Sequence, residues 1–225
     1  RQRQMCIRDR IIIQEKIDGS NASFQYDRET DSVICFSRNQ ILSPELHLRG
    51  FYEWVQKLDK ERVYAVLGDN LRMFGEWLVR HTVPYPKDCY ETLYCFDVFD
   101  MKQHRYLPQD QVKALAEQLG LRYVPVFYEG PFTSWEDYQP LVGKTELGGE
   151  IGEGIIIKNL STLSGNLAYT KIVHENFSEN KKTWKKKQRR KPSPEELQEH
   201  ERLLELAKTV VTRPVSYTHL TLPTK

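Results

Sequence analysis

Gln14-Glu15-Lys16-Ile17-Asp18-Gly19-Ser20-Asn21, entered through Ile11-Ile12-Ile13, is the stretch on which the reading of this 225-residue chain turns. The isoleucines are a short apolar run of the kind a buried strand carries, and Gly19-Ser20-Asn21 is turn chemistry that sends the chain back. Alternate side chains of an extended strand share a face. Lys16 and Asp18 are therefore expected to project together, with Ile13, Glu15 and Ile17 on the other side. An amine beside a carboxylate at a strand end, followed by glycine, suits a covalent nucleophile. The plainer alternative is a surface hairpin carrying one ion pair. The octapeptide alone leaves both open.

Downstream, Ala22, Phe24 and Tyr26 alternate with Ser23, Gln25 and Asp27, as the return strand of a hairpin would. Val33-Ile34-Cys35-Phe36 reads as a third strand ending at Ser37-Arg38-Asn39. Pro44 opens an expected helix, with Leu48, Phe51, Val55 and Leu58 at helical spacing. Val63–Leu67 and Met73–Val79 read as strands, the second enclosing Gly75-Glu76. In Thr92–Phe99, a further strand, Leu93, Cys95 and Val98 partner Tyr94, Phe96 and Asp97. Pro108–Leu119 has the pattern of an amphipathic helix, Tyr123–Tyr128 reads as a strand, and Ser134–Leu141 as a short helix capped by Ser134. Leu167–Val173 is the last expected strand and presents Lys171. Short strands with interspersed helices predict an α+β fold of antiparallel sheets with flanking helices.

Gly148-Gly149-Glu150-Ile151-Gly152-Glu153-Gly154, followed by Ile155-Ile156-Ile157-Lys158, has neither phosphate-loop nor dinucleotide-fold spacing. A glycine-framed carboxylate leading into a buried strand still lets a backbone approach a ligand closely. No apolar run nears the roughly 20 residues that cross a bilayer. Cys6, Cys35, Cys89 and Cys95 form no C-x-x-C pair, so neither a zinc site nor a disulfide framework is indicated, and a reducing cytoplasm is expected.

Residues 1–10 and 214–225 do not continue the patterns beside them and resemble translated sequencing-adapter strings, so the native chain is expected to extend past both ends. Without them the formal charge falls from +2 to −2. Residues 180–191, which include Trp184, hold eight Lys/Arg and no acid, leaving −10 for the remainder. So local a basic arm suits a nucleic-acid contact, the alternative being a solvated linker. Ser193-Pro194-Glu195-Glu196 is a capping box, and Leu197, Leu203, Leu204, Leu206, Ala207, Val210 and Val211 continue an apolar helical face. The expected organisation is a domain over 11–179, then a linker and the start of a truncated helical domain over 180–213.

Six stretches now stand in a fixed order: Lys16-Ile-Asp-Gly-Ser-Asn21, Ser37-Arg38, Phe74-Gly75-Glu76, Tyr94-Cys-Phe-Asp97, Glu153-Gly-Ile-Ile-Ile-Lys158, and Tyr169-Thr-Lys171 running to Phe177-Ser178-Glu179. Together they resemble the nucleotidyltransferase motifs of ATP-dependent RNA ligases, particularly the double-strand, nick-sealing type, and so imply that family's ATP-grasp-like ligase domain. Asn21 stands where DNA ligases usually carry arginine. A DNA ligase, a capping-type guanylyltransferase and an inactive nucleic-acid-binding relative are the alternatives.

The resemblance implies that Lys16 takes AMP from ATP, and that AMP passes to an RNA 5′-phosphate before a 3′-hydroxyl displaces it. It implies that Asp18, Glu76 and Glu153 surround a magnesium ion, for which manganese substitutes, and that Lys158 and Lys171 lie near the phosphates. Arg38 matches a contact to the nucleotide and the RNA end. Phe96 matches the ring stacked on adenine, with Tyr94 as its rival, and Glu15 matches a residue at the adenine edge. Asn21 matches a residue of the sealing steps. Nicked RNA duplex or RNA ends are the implied partners of a monomer, with no membrane. One departure is Tyr169, where the family often has a first lysine. His104 and His174 read as surface residues.

Overall fold

A computed structural model describes residues 9–161 and 168–177. In chain order the strands are β1 (Arg10–Lys16), β2 (Ser20–Asp27), β3 (Ser32–Ser37), β4 (Leu71–Leu78), β5 (Thr92–Asp100), β6 (Arg105–Tyr106), β7 (Arg122–Tyr123), β8 (Val126–Pro131), β9 (Gly154–Asn159) and β10 (Tyr169–Val173). The helices are α1 (Phe51–Val55), α2 (Lys60–Leu67), α3 (Gln109–Gln118) and α4 (Trp135–Tyr138). The basic segment, the capping box with its apolar helix, and Ser178-Glu179 lie outside the described residues.

The isoleucine run is a strand, yet it does not pair with its neighbour in sequence. One sheet has the order β10-β9-β1-β8, and a second runs β3-β2-β4-β5-β6, with β7 beside β5. β1 is therefore a central strand, Ile12 opposing Glu129 on one side and Lys158 on the other. This corrects the hairpin reading of β1 and β2. Every residue from Ile11 to Glu15 is buried, and a two-stranded hairpin would leave one face of such a strand in water. The chain crosses between sheets at Ile17–Gly19, which places the Lys16 turn where the sheets meet. β1 also begins at Arg10, one residue before the expected boundary.

Three other expectations are corrected. Val63 and Leu67 belong to α2, because the Asp59 carboxylate accepts from the Glu61 and Arg62 N–H groups as an N-cap and turns both apolar residues onto one buried face. The helix expected from Pro44 forms only as α1. Leu48, Arg49 and Gly50 all take positive φ, which a right-handed helix cannot propagate through. Tyr123–Tyr128 is two strands: β7 pairs in parallel with β5, and after Pro125 β8 joins β1 in the other sheet.

The core follows the two sheets. Phe24, Met73, Trp77, Leu93, Cys95 and Val98 pack under α1, α2 and α3, whereas Ile11, Ile13, Ile155 and Ile157 pack with Phe132 and Tyr138. A bulge breaks the β4–β5 register, Phe74 opposing Asp97 but Gly75 opposing Cys95. The extra residue leaves Cys95 and Val98 in the core and Phe96 and Asp97 both on the opposite face. Among the described residues no helix is long and apolar enough to cross a membrane.

Candidate active site

A cleft of about 660 Å³ opens between the two sheets. Gln14 and Lys16 on β1, Ile156 and Lys158 on β9, and Tyr169 and Lys171 on β10 form one wall. Asn21, Phe74, Glu76, Phe96, Asp97 and Tyr106 form the other, with Arg38 at the rim. Strand periodicity explains the first wall: the two residues from each strand are two positions apart, and Gln14, Ile156 and Lys171 lie in one transverse row. On the second wall Asn21 sits directly opposite Glu76.

The Lys16 ammonium is ion-paired to Glu153 Oε1, in a site where both side chains are mostly buried. Glu153 Oε2 is buried with no hydrogen-bond partner. Burial pushes the Glu153 carboxyl up, and the bond and charge of Lys16 oppose it. The Glu76 carboxyl is pushed up to about 7 by burial, against the pull of Lys16 and of the Gly19 N–H, which donates to Glu76 Oε1 at 3.2 Å. Gly19 admits this approach because a Cβ there would stand 2.6 Å from the Trp77 carbonyl oxygen. An orphaned carboxylate oxygen beside a carboxyl that titrates near neutrality fits a hydrated divalent cation. Among the described residues no three His, Cys, Asp or Glu side chains form a ready-made ligand set. Water and phosphate oxygens would complete the shell, as magnesium generally requires.

Asp18 differs from its expected place. It does not line the cleft. Its Oδ2 accepts from the Thr82 and Val83 N–H groups, each at 2.8 Å, and its Oδ1 pairs with His81 Nδ1 at 2.9 Å. Through these contacts Asp18 ties the turn that carries Lys16 to the 81–83 segment. Lys158 differs too. It forms the cleft floor, but its ammonium donates to Asp97 Oδ1 at 2.8 Å, to the Phe96 carbonyl at 2.7 Å and to Gln109 Oε1 at 3.3 Å, which uses its three hydrogens. Burial pushes the Asp97 carboxyl up and the Lys158 amine down, and their ion pair opposes both.

Glu15 is in the cleft, but its oxygens accept from Thr145 Oγ1 at 2.6 Å and the Glu146 N–H at 2.9 Å, so it anchors the 145–147 loop as a rim of the site. Phe96 faces the cleft, whereas Tyr94 is buried against Cys89 and Arg122. The Lys171 amine lies 5.5 Å from the centre of the Tyr169 ring. Gln14, Tyr106 and His81 lie in none of the six stretches, and Asp97 ends one of them without a role of its own. The signal for Asp97 is the bulge, visible only as a break in the alternation of Thr92–Phe99.

A carboxyl whose pKa is higher folded than unfolded contributes stability that is complete below its ordinary value of 4.5 and lost as pH rises through about 7. Glu76→Gln removes this titration. The variant is expected to match the parent in denaturant near pH 4 and to exceed it above pH 8, by up to about 3 kcal/mol.

No curated protein matches the chain. Among solved structures it is similar in fold to an RNA ligase of Naegleria gruberi, seen as a lysine-to-alanine mutant with ATP and Mn: 19% identity, TM-score 0.59, over 76% of this chain and 51% of that one. The Naegleria ligase with PPi gives 19% identity and TM-score 0.54, over 78% and 52%. An archaeal ATP-dependent RNA ligase gives 20% identity and TM-score 0.56, over 76% and 44%. The chain thus spans about half the length of these ligases. A family model described as RNA ligase matches residues 9–173, from the start of β1 to the end of β10. The chain belongs to the RNA ligase family.

Proposed function

We propose that the chain is the nucleotidyltransferase part of an ATP-dependent RNA ligase that joins 3′-hydroxyl and 5′-phosphate ends through an AMP carried on Lys16. The observation that carries this reading is the Lys16 amine, held by Glu153 in a cleft shared with Glu76, Asn21, Arg38, Phe96 and Lys171. ATP is the substrate of the first step. Lys16 Nζ attacks its α-phosphorus, a P–N bond forms, and the bond to the bridging oxygen breaks to release pyrophosphate. The AMP then moves to an RNA 5′-phosphate and frees the amine, and a 3′-hydroxyl attacks that phosphate and expels AMP.

At a pKa near 10.4 only about one lysine amine in a thousand is neutral at pH 7. Glu153 Oε1 is placed to take the amine proton, and burial makes it a better acceptor than an ordinary carboxylate. Glu76 and the second Glu153 oxygen would hold a magnesium or manganese ion, which would supply positive charge to offset that of the phosphates. Phe96 offers a ring to the adenine, with Glu15 and the loop it anchors at the base edge. Lys171 and Arg38 are the cleft cations left for phosphate once Lys158 is committed to Asp97. Three buried free thiols, Cys35, Cys89 and Cys95, suit a reducing cytoplasm. The protein is read as a monomer over 11–179, followed by its linker and a further domain.

The purified protein, given α-labelled ATP and magnesium, is expected to retain label and to pass it to 5′-phosphorylated RNA. Labelling by GTP alone would indicate a capping-type enzyme. Faster sealing of an all-DNA nick than of one with an RNA 3′-hydroxyl strand would indicate a DNA ligase. RNA binding with no labelling would indicate an inactive relative.

A further inference from the structure

Beyond the end of β4 the surface has a second hollow, of about 570 Å³ and open to solvent, lined by Arg49, Val79, Arg80, Lys87, Tyr90 and Glu91. Its three cations are exposed and outnumber its one acid. None of the ion pairs among the described residues engages Arg49, Arg80 or Lys87. Three cations around a single acid, Glu91, leave the hollow net positive, so an anion in it is favoured.

The hollow is held in shape. Arg49 sits in the left-handed region at φ 54°, which costs a non-glycine residue roughly 1–2 kcal/mol. Its carbonyl accepts from Trp77 Nε1–H at 3.3 Å. The Arg80 guanidinium lies 6.0 Å from the centre of the Tyr90 ring. Tyr90 OH accepts from the Tyr85 N–H at 2.9 Å, and Tyr85 OH in turn accepts from the Asp18 N–H at 3.1 Å. Asp18 also clamps Thr82 and Val83, immediately after Arg80 and His81. The hollow is thus tied by hydrogen bonds to the turn that carries Lys16. Val79 follows Glu76 by three residues, about 10 Å along the chain at strand rise.

We propose that this hollow grips the sugar–phosphate backbone of a polynucleotide strand, with Arg49, Arg80 and Lys87 on its phosphates and the Tyr90 ring against a base. The polyanion is RNA insofar as the ligase reading of the cleft holds, on which this inference rests for its substrate. Cations interleaved with an aromatic ring are the usual means of holding a single strand. A protein partner would call for an apolar centre, and Val79, itself buried, is the sole aliphatic residue here.

The test compares the full chain with the variant Arg49→Ala/Arg80→Ala/Lys87→Ala. Fluorescence anisotropy would follow binding of 5′-phosphorylated single-stranded RNA, and of the matching DNA, between about 50 and 200 mM salt. Losing three phosphate contacts lowers the slope of log affinity on log salt by about 2, so affinity falls about 18-fold less across that range. All three side chains are exposed, and α-labelled ATP should still label Lys16 as in the parent. The charge-reversed Arg80→Glu/Lys87→Glu leaves Arg49 and its left-handed backbone in place; checked for an unchanged melting temperature, it should weaken RNA binding in the same sense. An equal reduction for DNA supports the backbone grip, and a reduction confined to RNA adds contact to the ribose. An unchanged salt slope in both folded variants overturns the proposal. Absence of label from parent and variant alike would sink the ligase reading, while the salt slopes would still decide the hollow.

Discussion

Glu153→Gln is expected to slow AMP transfer to Lys16 by about 10²–10⁴-fold, the range over which a positioned proton acceptor acts. Glutamine keeps the size of the side chain and a hydrogen-bond acceptor near Nζ, so the change is one of charge. Two consequences oppose each other. Removing the anion unties the Lys16 nitrogen from its partner, which alone would speed attack. The same substitution removes the group that takes the amine proton and the buried oxygen that fits a cation. The proposed mechanism needs both, so loss dominates. Single-turnover labelling with α-labelled ATP reads the balance. A Glu153→Gln protein labelled as fast as the parent, or faster, would reduce Glu153 to a tether.

Lys158→Met is expected to cost about 3–5 kcal/mol of stability, because it strands Asp97 in the interior without its cation. For a chain of this size that lowers the melting temperature by on the order of 10 °C. Burial already pushes the Asp97 carboxyl up, and without Lys158 nothing opposes it except Gln109. In the variant the carboxyl escapes its penalty by taking a proton, so the loss should shrink as pH falls and grow as pH rises. The double variant Lys158→Met/Asp97→Asn should recover part of it. An unchanged melting temperature with weakened ATP binding would instead return Lys158 to the phosphate role that its motif position implies.

Much of the fold could be read from local pattern. The Ile11–Ile13 run, the alternation through Ala22–Asp27 and the break at Phe96-Asp97 each identified a strand and its faces. What local pattern does not carry is pairing. The partners of β1 lie near Glu129 and Lys158, and nothing in Gln14–Asn21 distinguishes a hairpin from a crossing between sheets. Val63–Leu67 was misleading because two valines and a leucine suit a strand, whereas the Asp59 cap four residues earlier favoured a helix. Ordered motifs identified the residues that gather in the cleft, Lys16, Asn21, Arg38, Glu76, Phe96 and Lys171 among them. They did not reveal which side chains are committed elsewhere. The hydrogen bonds that hold Asp18, Glu15 and Lys158 come from Thr82 and Val83, from Thr145 and Glu146, and from Asp97 and Gln109, all remote in sequence.

The site at which AMP becomes attached tests the proposed mechanism most directly. The protein would be incubated with ATP and magnesium, digested under conditions that preserve phosphoramidates, and its peptides mapped by mass spectrometry. One adenylyl group on Lys16, absent from the Lys16→Ala protein, is the predicted result. AMP on another residue, or equal modification of the Lys16→Ala protein, would contradict it.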